Sequence, residues 1–252
     1  MWKYPDDNSR AIITARQNIE SIHGSGQQLR LPQTALVFFM SRGVEYLLET
    51  HDCRLLTEKL PRFLQGGPVY SLNDEICFLD GGRGAPQAVD TVETLAALGV
   101  KKLFAVGMCG AFSEGMRAGD ILVPPFAFSE EGTSRHYYEQ PDSFAPDREA
   151  YAKLCRIPDC KNLPIVSTDG VYRQTFYKEA LWRQKGAAAV DMETSAVLGA
   201  AQYLGLSAAA VLMVSDCHPL YDGAPAWKWH MTAEMRQERF KKTIEAISGD
   251  QP

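Results

Sequence analysis

Glu193-Thr194-Ser195-Ala196-Val197-Leu198-Gly199-Ala200-Ala201-Gln202-Tyr203, closed by Gly205, leads into Ala208-Ala209-Ala210-Val211-Leu212-Met213-Val214. The first run is long enough for a helix and is stopped by a glycine; the second is an unbroken apolar stretch of strand length. A strand apolar on both faces belongs in a sheet that helices cover from both sides. Working outward, the same alternation recurs. Ala35–Met40 reads as a buried strand, followed by a helical stretch from Val44 to Thr50. Glu75–Asp80 reads as a strand closing into Gly81-Gly82-Arg83-Gly84, and a helix follows from Pro86 to Leu98, stopped by Gly99. Lys102–Val106, Asp120–Val123 and Leu163–Ser167 are further strands, and Ala224–Ser248 reads as a C-terminal helix. The pattern predicts an α/β fold in a single domain over residues 35–252, with a lead-in over 1–34 in which Ser25 to Pro32 is irregular.

Composition narrows the function classes. The 252 residues carry 26 Lys+Arg against 31 Asp+Glu, a formal net charge of −5, which argues against a nucleic-acid partner needing a clustered basic face. No apolar run approaches the roughly 18 residues that span a bilayer, and Met1–Asp7 lacks the apolar stretch of a secretory signal, so no membrane partner is expected. The cysteines (Cys53, Cys77, Cys109, Cys155, Cys160, Cys217) form no CxxC pair and read as reduced thiols in a cytoplasm. No Cys or His pair has zinc spacing, so the expected protein is cytoplasmic and holds neither metal nor cofactor.

In sheets of this kind, ligands sit beyond the carboxyl ends of the strands. That nominates Gly81–Gly84, Gly107-Met108-Cys109-Gly110, Thr168-Asp169-Gly170 and Ser215-Asp216. Two readings compete at each. Asp216 is either a turn former after a strand or a carboxyl group whose pKa an apolar pocket raises, suited to protonating a leaving group. Glu193 either sits in a first helical turn because exposed N–H groups favour a carboxylate there, or accepts hydrogen bonds from sugar hydroxyls, with Met192 against the ring. The glycine turn before the Pro86 helix suits an anion but lacks dinucleotide or Walker spacing. Cys109 is a packed small residue or a nucleophile, and His218 an ordinary polar contact or a base.

Taken together, the segments acquire a family likeness. Val106-Gly107-Met108-Cys109-Gly110-Ala111 with Ala118-Gly119-Asp120-Ile121-Leu122-Val123-Pro124 resembles a motif pair of purine nucleoside and uridine phosphorylases. Glu131-Gly132-Thr133-Ser134 to Tyr137, Ser167-Thr168-Asp169-Gly170-Val171-Tyr172-Arg173, Val190-Asp191-Met192-Glu193-Thr194-Ser195-Ala196 and Val214-Ser215-Asp216 resemble further segments of that family, in the same order. The resemblance runs from about Leu79 to His218 and implies a central mixed β-sheet flanked by helices. It also implies cleavage of a nucleoside N-glycosidic bond, by phosphate or, in related nucleosidases, by water.

Carried over by residue, Asp216 matches the acid that protonates a purine ring nitrogen, making the base a tolerable leaving group. Met192 and Glu193 match the ribose platform and anchor; Val171, Tyr172 and Ser215 match the base pocket. Because the acid is present and the family's uracil-reading Gln-x-Arg pair is not evident, a purine is favoured. The phosphate site departs from the family pattern. The arginine before Val106-Gly107 is replaced by Ala105, the Ser or Thr after it by Met108, and the first-strand phosphate loop reads Phe39-Met40-Ser41-Arg42-Gly43. Gly107, Met108, Arg83, Arg42 and Arg62 are the remaining anion-site candidates, Arg62 matching an arginine that the family lends across a subunit interface. Three outcomes follow: phosphorolysis at an atypical site with phosphate as co-substrate, hydrolysis with Glu45 or Glu131 proposed as the base for water, or a non-catalytic nucleoside-binding relative. The resemblance also implies a homo-oligomer.

Overall fold

The computed structural model describes residue 7, residues 9–23 and residues 29–249. Its centre is a group of parallel strands that includes the apolar run Ala208–Val214. β1 (Thr34–Phe38), β4 (Ile76–Asp80) and β5 (Lys102–Ala111) run parallel, with β1 in the middle, and β11 (Ser207–Cys217) lies parallel to β5 on its other edge. β2 (Cys53–Thr57) and β3 (Val69–Leu72) extend the sheet antiparallel beyond β4. At the far end of β5 a second branch begins: β10 (Ala189–Asp191), then β9 (Ile165–Thr168), β7 (Ala127–Glu130) and β8 (Ser143–Phe144). Short β6 (Ile121–Leu122) closes on β11. The sheet is therefore mixed, as the family likeness implied.

Alternation along β1 divides the core. Ala35 and Val37 face the layer of α3 (Ala85–Ala97) and α6 (Thr194–Leu204), joining Leu79, Leu103, Val92, Leu95 and Val197. Leu36 and Phe38 face α2 (Gly43–Thr50), α4 (Arg148–Leu154) and α7 (Ala233–Ser248), joining Phe78, Phe104, Leu47, Leu154 and Phe240. Phe38 and Phe240 meet edge to face with ring centroids 5.8 Å apart. α5 (Phe176–Gln184) sits beside the β10 branch, where Trp182 packs on Phe112 and Val190.

Several expectations shift. Gly107–Gly110 is no strand end: β5 runs through it to Ala111, and Ser215 and Asp216 likewise lie inside β11, at a register shift between Val214 and Asp216. The C-terminal helix begins at Ala233 instead of Ala224, because Pro225 interrupts the segment and Thr232 caps the helix by accepting the Met235 N–H at 3.2 Å. Within the lead-in, α1 (Ala15–His23) lies against α3, where Arg16 donates to the Ala97 carbonyl at 3.3 Å. Residues 1–6, 8 and 24–28 of the lead-in, including Ser25, lie outside the described residues. Among the described residues, no helix is long and apolar enough to cross a membrane.

Candidate active site

The site exists because β5 changes partners. β1 pairs with it as far as Val106, and β10 pairs antiparallel with it at Gly110 and Ala111. Between these partners the edge of β5 faces a crevice at the carboxyl ends of β1 and β4, where open α/β sheets bind ligands. A cavity of about 990 Å³ fills the crevice, lined among others by Phe39, Met40, Ser41, Arg83, Met108, Val171, Tyr172, Met192, Glu193, Ser215, Asp216, His218, Trp227 and Trp229.

At one end stands Glu193. Asp191 fixes its approach: one carboxylate oxygen accepts the Thr194 N–H at 3.0 Å and the Thr194 hydroxyl at 2.5 Å, and the other accepts the Ser167 hydroxyl at 2.5 Å. These bonds pin the start of α6 and leave Glu193 pointing into the cavity, where its Oε1 accepts the Gly84 N–H at 2.6 Å. The N–H that holds this carboxylate thus comes from the N-cap residue of α3, across the crevice. Burial, reinforced by the nearby Asp191 charge, pushes the Glu193 carboxyl up to about 7.

At the other end, Asp216 Oδ1 accepts the Ser215 hydroxyl at 2.5 Å and Oδ2 accepts the Trp227 indole N–H at 2.5 Å. His218 Nε2 lies 3.3 Å from the same Oδ2, while its Nδ1 lies 2.6 Å from Oε1 of buried Glu179 on α5. The expectation of a raised Asp216 pKa is overturned. Burial acts upward, but hydrogen bonds from His218, Ser215 and Trp227, with the His218 charge, hold the carboxyl below its usual value. His218 moves the other way: burial opposes its charge, but Asp216 and Glu179 together raise it to about 9. The proton at this end of the cavity therefore rests on the imidazole near neutral pH.

The anion-site candidates separate. Arg83 lines the cavity, with its two terminal nitrogens each 3.1 Å from an Asp80 oxygen. Met108 lines it too. Gly107 is buried and does not line the cavity; a Cβ there would stand 3.0 Å from Leu212. Arg42 faces away, paired with Glu49 at 3.1 Å, and Arg62 is buried in donation to the Gln65 and Gly81 carbonyls and the Thr91 hydroxyl. Neither arginine lines the cavity, and neither Glu45 nor Glu131 does. Glu131 instead accepts from Ser129, Ser134 and Ser195. Val171 and Tyr172 stand at the mouth, Tyr172 93% exposed. Cys109 is a packed residue, its thiol raised well above its ordinary value by burial. Glu179, Trp227 and Trp229 were not foreseen. Nothing in their local sequence marks them, since long-range packing brings them here. Among the described residues, no group of three or more His, Cys, Asp or Glu is arranged to hold a metal.

A crevice at a strand fork, with a buried carboxylate at one end and a hydrogen-bonded Asp–His pair at the other, suits a small polyhydroxylated ligand carrying a proton-accepting ring. The chain belongs to the phosphorylase superfamily, whose model matches residues 34–248. Superfamily members are nucleoside phosphorylases and nucleosidases. Among relatives, a purine nucleoside phosphorylase DeoD-type from Brevibacillus brevis is 28% identical over 245 residues, covering 89% of this chain and 96% of that one. A guanosine phosphorylase from Halorubrum lacusprofundi is 33% identical over 138 residues, covering 53% of this chain and 57% of the relative. The fold is similar to that of a purine nucleoside phosphorylase from Toxoplasma gondii in complex with immucillin-H, with TM-score 0.73, 18% identity and 88% and 90% of the two chains covered. It is also similar to a futalosine hydrolase mutant from Helicobacter pylori, with TM-score 0.67, 17% identity and 88% and 99% covered.

Proposed function

We propose that this chain cleaves the N-glycosidic bond of a purine-type nucleoside by phosphorolysis, as a homo-oligomer in the cytoplasm. The observation that carries the reading is the pairing, in one cavity, of a sugar-binding end at Met192 and Glu193 with a proton-bearing end at Ser215, Asp216 and His218. Glu193 accepts hydrogen bonds from the ribose hydroxyls and holds the sugar for attack while positive charge develops at its anomeric carbon. The base lies towards Asp216, with Val171 and Tyr172 at the mouth, and leaves as its ring nitrogen is protonated. Arg83 supports phosphate as the nucleophile. Its pairing with Asp80 is half exposed on both sides, and such a pair contributes only about 0–1 kcal/mol, so an incoming anion can take Asp80's place. The activities named for the Brevibacillus and Halorubrum relatives, both phosphorylases, favour the same choice.

A second reading, hydrolysis, has its own support. Ala105 and Met108 stand where the family carries phosphate contacts, and Arg42 and Arg62 are engaged elsewhere, which leaves little charge for an oxyanion. The test is base release from a panel of purine and pyrimidine nucleosides, with and without phosphate. Phosphate-dependent release from purine nucleosides is the expected result. Equal release without phosphate would favour hydrolysis, and no release under either condition would leave a binding protein. Asp216→Asn should lower turnover, and an unchanged rate would sink the assignment of the base end.

A further inference from the structure

Glu179 lies outside the roles assigned so far, although with His218 it forms the most tightly held charged pair at the cavity wall. His218 Nδ1 is 2.6 Å from Glu179 Oε1, and the Glu179 side chain is only 7% exposed. A carboxylate so buried needs a positive partner, and the groups facing it are His218 and, at 3.9 Å, Arg183 from the next turn of α5. The imidazole's other nitrogen faces Asp216 Oδ2 at 3.3 Å. The charged groups facing His218 are therefore Asp216 from β11 and Glu179 from α5, with Arg183 behind Glu179. Space for the ring is made at Gly110 on β5: a Cβ there would overlap the imidazole. Two carboxylates, one imidazole and a glycine from three separate elements thus converge on a single ring orientation.

We propose that His218, held between Glu179 and Asp216, is the positioning residue that stores the proton which Asp216 passes to the leaving base. The inference rests on the glycosidic-cleavage reading and deepens it. In the step, the Nε2–H bond of the imidazolium breaks and the proton passes through the Asp216 carboxyl to the ring nitrogen of the base. The electron pair of the C1′–N9 bond stays with the base, and the nucleophile's oxygen forms the new bond at C1′. The neutral imidazole then takes a proton from water. Glu179 keeps the ring charged and aligned between turnovers, much as the third member of a catalytic triad orients its histidine.

The experiment compares two nucleosides, inosine and 7-methylinosine. The base of 7-methylinosine already carries its positive charge and departs without a proton. His218→Gln is expected to lower kcat on inosine by about 100-fold or more, the range of positioned proton transfer, while kcat on 7-methylinosine falls less than about 5-fold. In the wild type, kcat on inosine should decline as pH rises through about 9, where the imidazolium is lost. Glu179→Gln should move that decline to lower pH by one unit or more while changing KM little. The imidazole titration, followed by NMR, should shift in parallel and gives a readout independent of turnover. Equal losses on both nucleosides, or an unmoved titration in Glu179→Gln, would overturn the proposal. Wild-type protein that cleaves neither nucleoside would overturn the functional reading itself, a distinct failure that takes this inference with it.

Discussion

Replacing Glu193 by Gln should stabilise the protein in alkaline solution while crippling it as an enzyme. The carboxyl is 8% exposed, and burial followed by the Asp191 charge raises its pKa from 4.5 to about 7. A carboxyl whose folded pKa lies above its unfolded value contributes stability that is fully present below pH 4.5 and lost as pH rises through about 7. At about 1.36 kcal/mol per pH unit, this separation amounts to about 3 kcal/mol of folded-state destabilisation by pH 8.5. Glutamine keeps an oxygen to accept the Gly84 N–H, now at 2.6 Å, and carries no charge to desolvate. Urea unfolding at pH 5 and pH 8.5 measures the difference. The two proteins should differ by less than about 1 kcal/mol at pH 5, and the variant should be more stable by up to about 3 kcal/mol at pH 8.5, equivalent to roughly 2–4 °C in Tm per kcal/mol. Nucleoside turnover should drop in the same variant if Glu193 is the ribose anchor proposed above. Wild-type and variant stabilities that run parallel across this pH range would refute the reasoning, since Glu193 would then not be held in an environment that resists its charge.

Three other perturbations separate the roles of nearby groups. Arg83→Gln should raise the KM for phosphate about 10- to 100-fold, the worth of hydrogen bonds to a charged group, and an unchanged phosphate dependence would remove Arg83 from the anion site. Gly110→Ala should displace the His218 ring and lower kcat on inosine while leaving far-UV circular dichroism intact; full activity would mean the ring position is not critical. Phe240→Ala removes the ring that fixes α7 against Phe38 and Tyr46, and should cost about 3–5 kcal/mol in urea unfolding with little change in the KM of correctly folded enzyme.

What the sequence disclosed follows from how locally each feature is encoded. β1, β4, β11, α3 and α6 were legible because unbroken apolar runs end in glycines or short polar turns. The continuation of β5 through Gly107 and Gly110 was not, since glycine argues against strand, and here it serves close approach instead: Gly110 admits His218. β2, with two of its five residues exposed, and two-residue β8 lie at the sheet margins, where too little is buried to leave a pattern. In the cavity, Asp216 and Glu193 could be nominated from ordered motifs. What moves their pKa values apart is not local: burial and the Asp191 charge raise Glu193 against the Gly84 hydrogen bond, while hydrogen bonds from His218, Ser215 and Trp227 lower Asp216 against burial. Arg42 and Arg62 show the converse, since a motif offset places an arginine near a loop without saying which way its guanidinium turns.

The fork in β5 also bears on how this scaffold accommodates change. Both lips of the crevice, the ends of β1 and β10, are stitched to one strand, so its width is set by backbone hydrogen bonds. The residues lining the outer part of the cavity, Val171, Tyr172, Trp227 and Trp229, are all about half exposed or more. Exchanges at such positions usually alter stability by no more than about 0.5 kcal/mol. Trp227 is the exception, because its indole N–H is tied to Asp216. A lineage with this architecture can therefore drift through new rim side chains, and so new ligand preferences, while the buried ends of the cavity and the frame around them stay as they are.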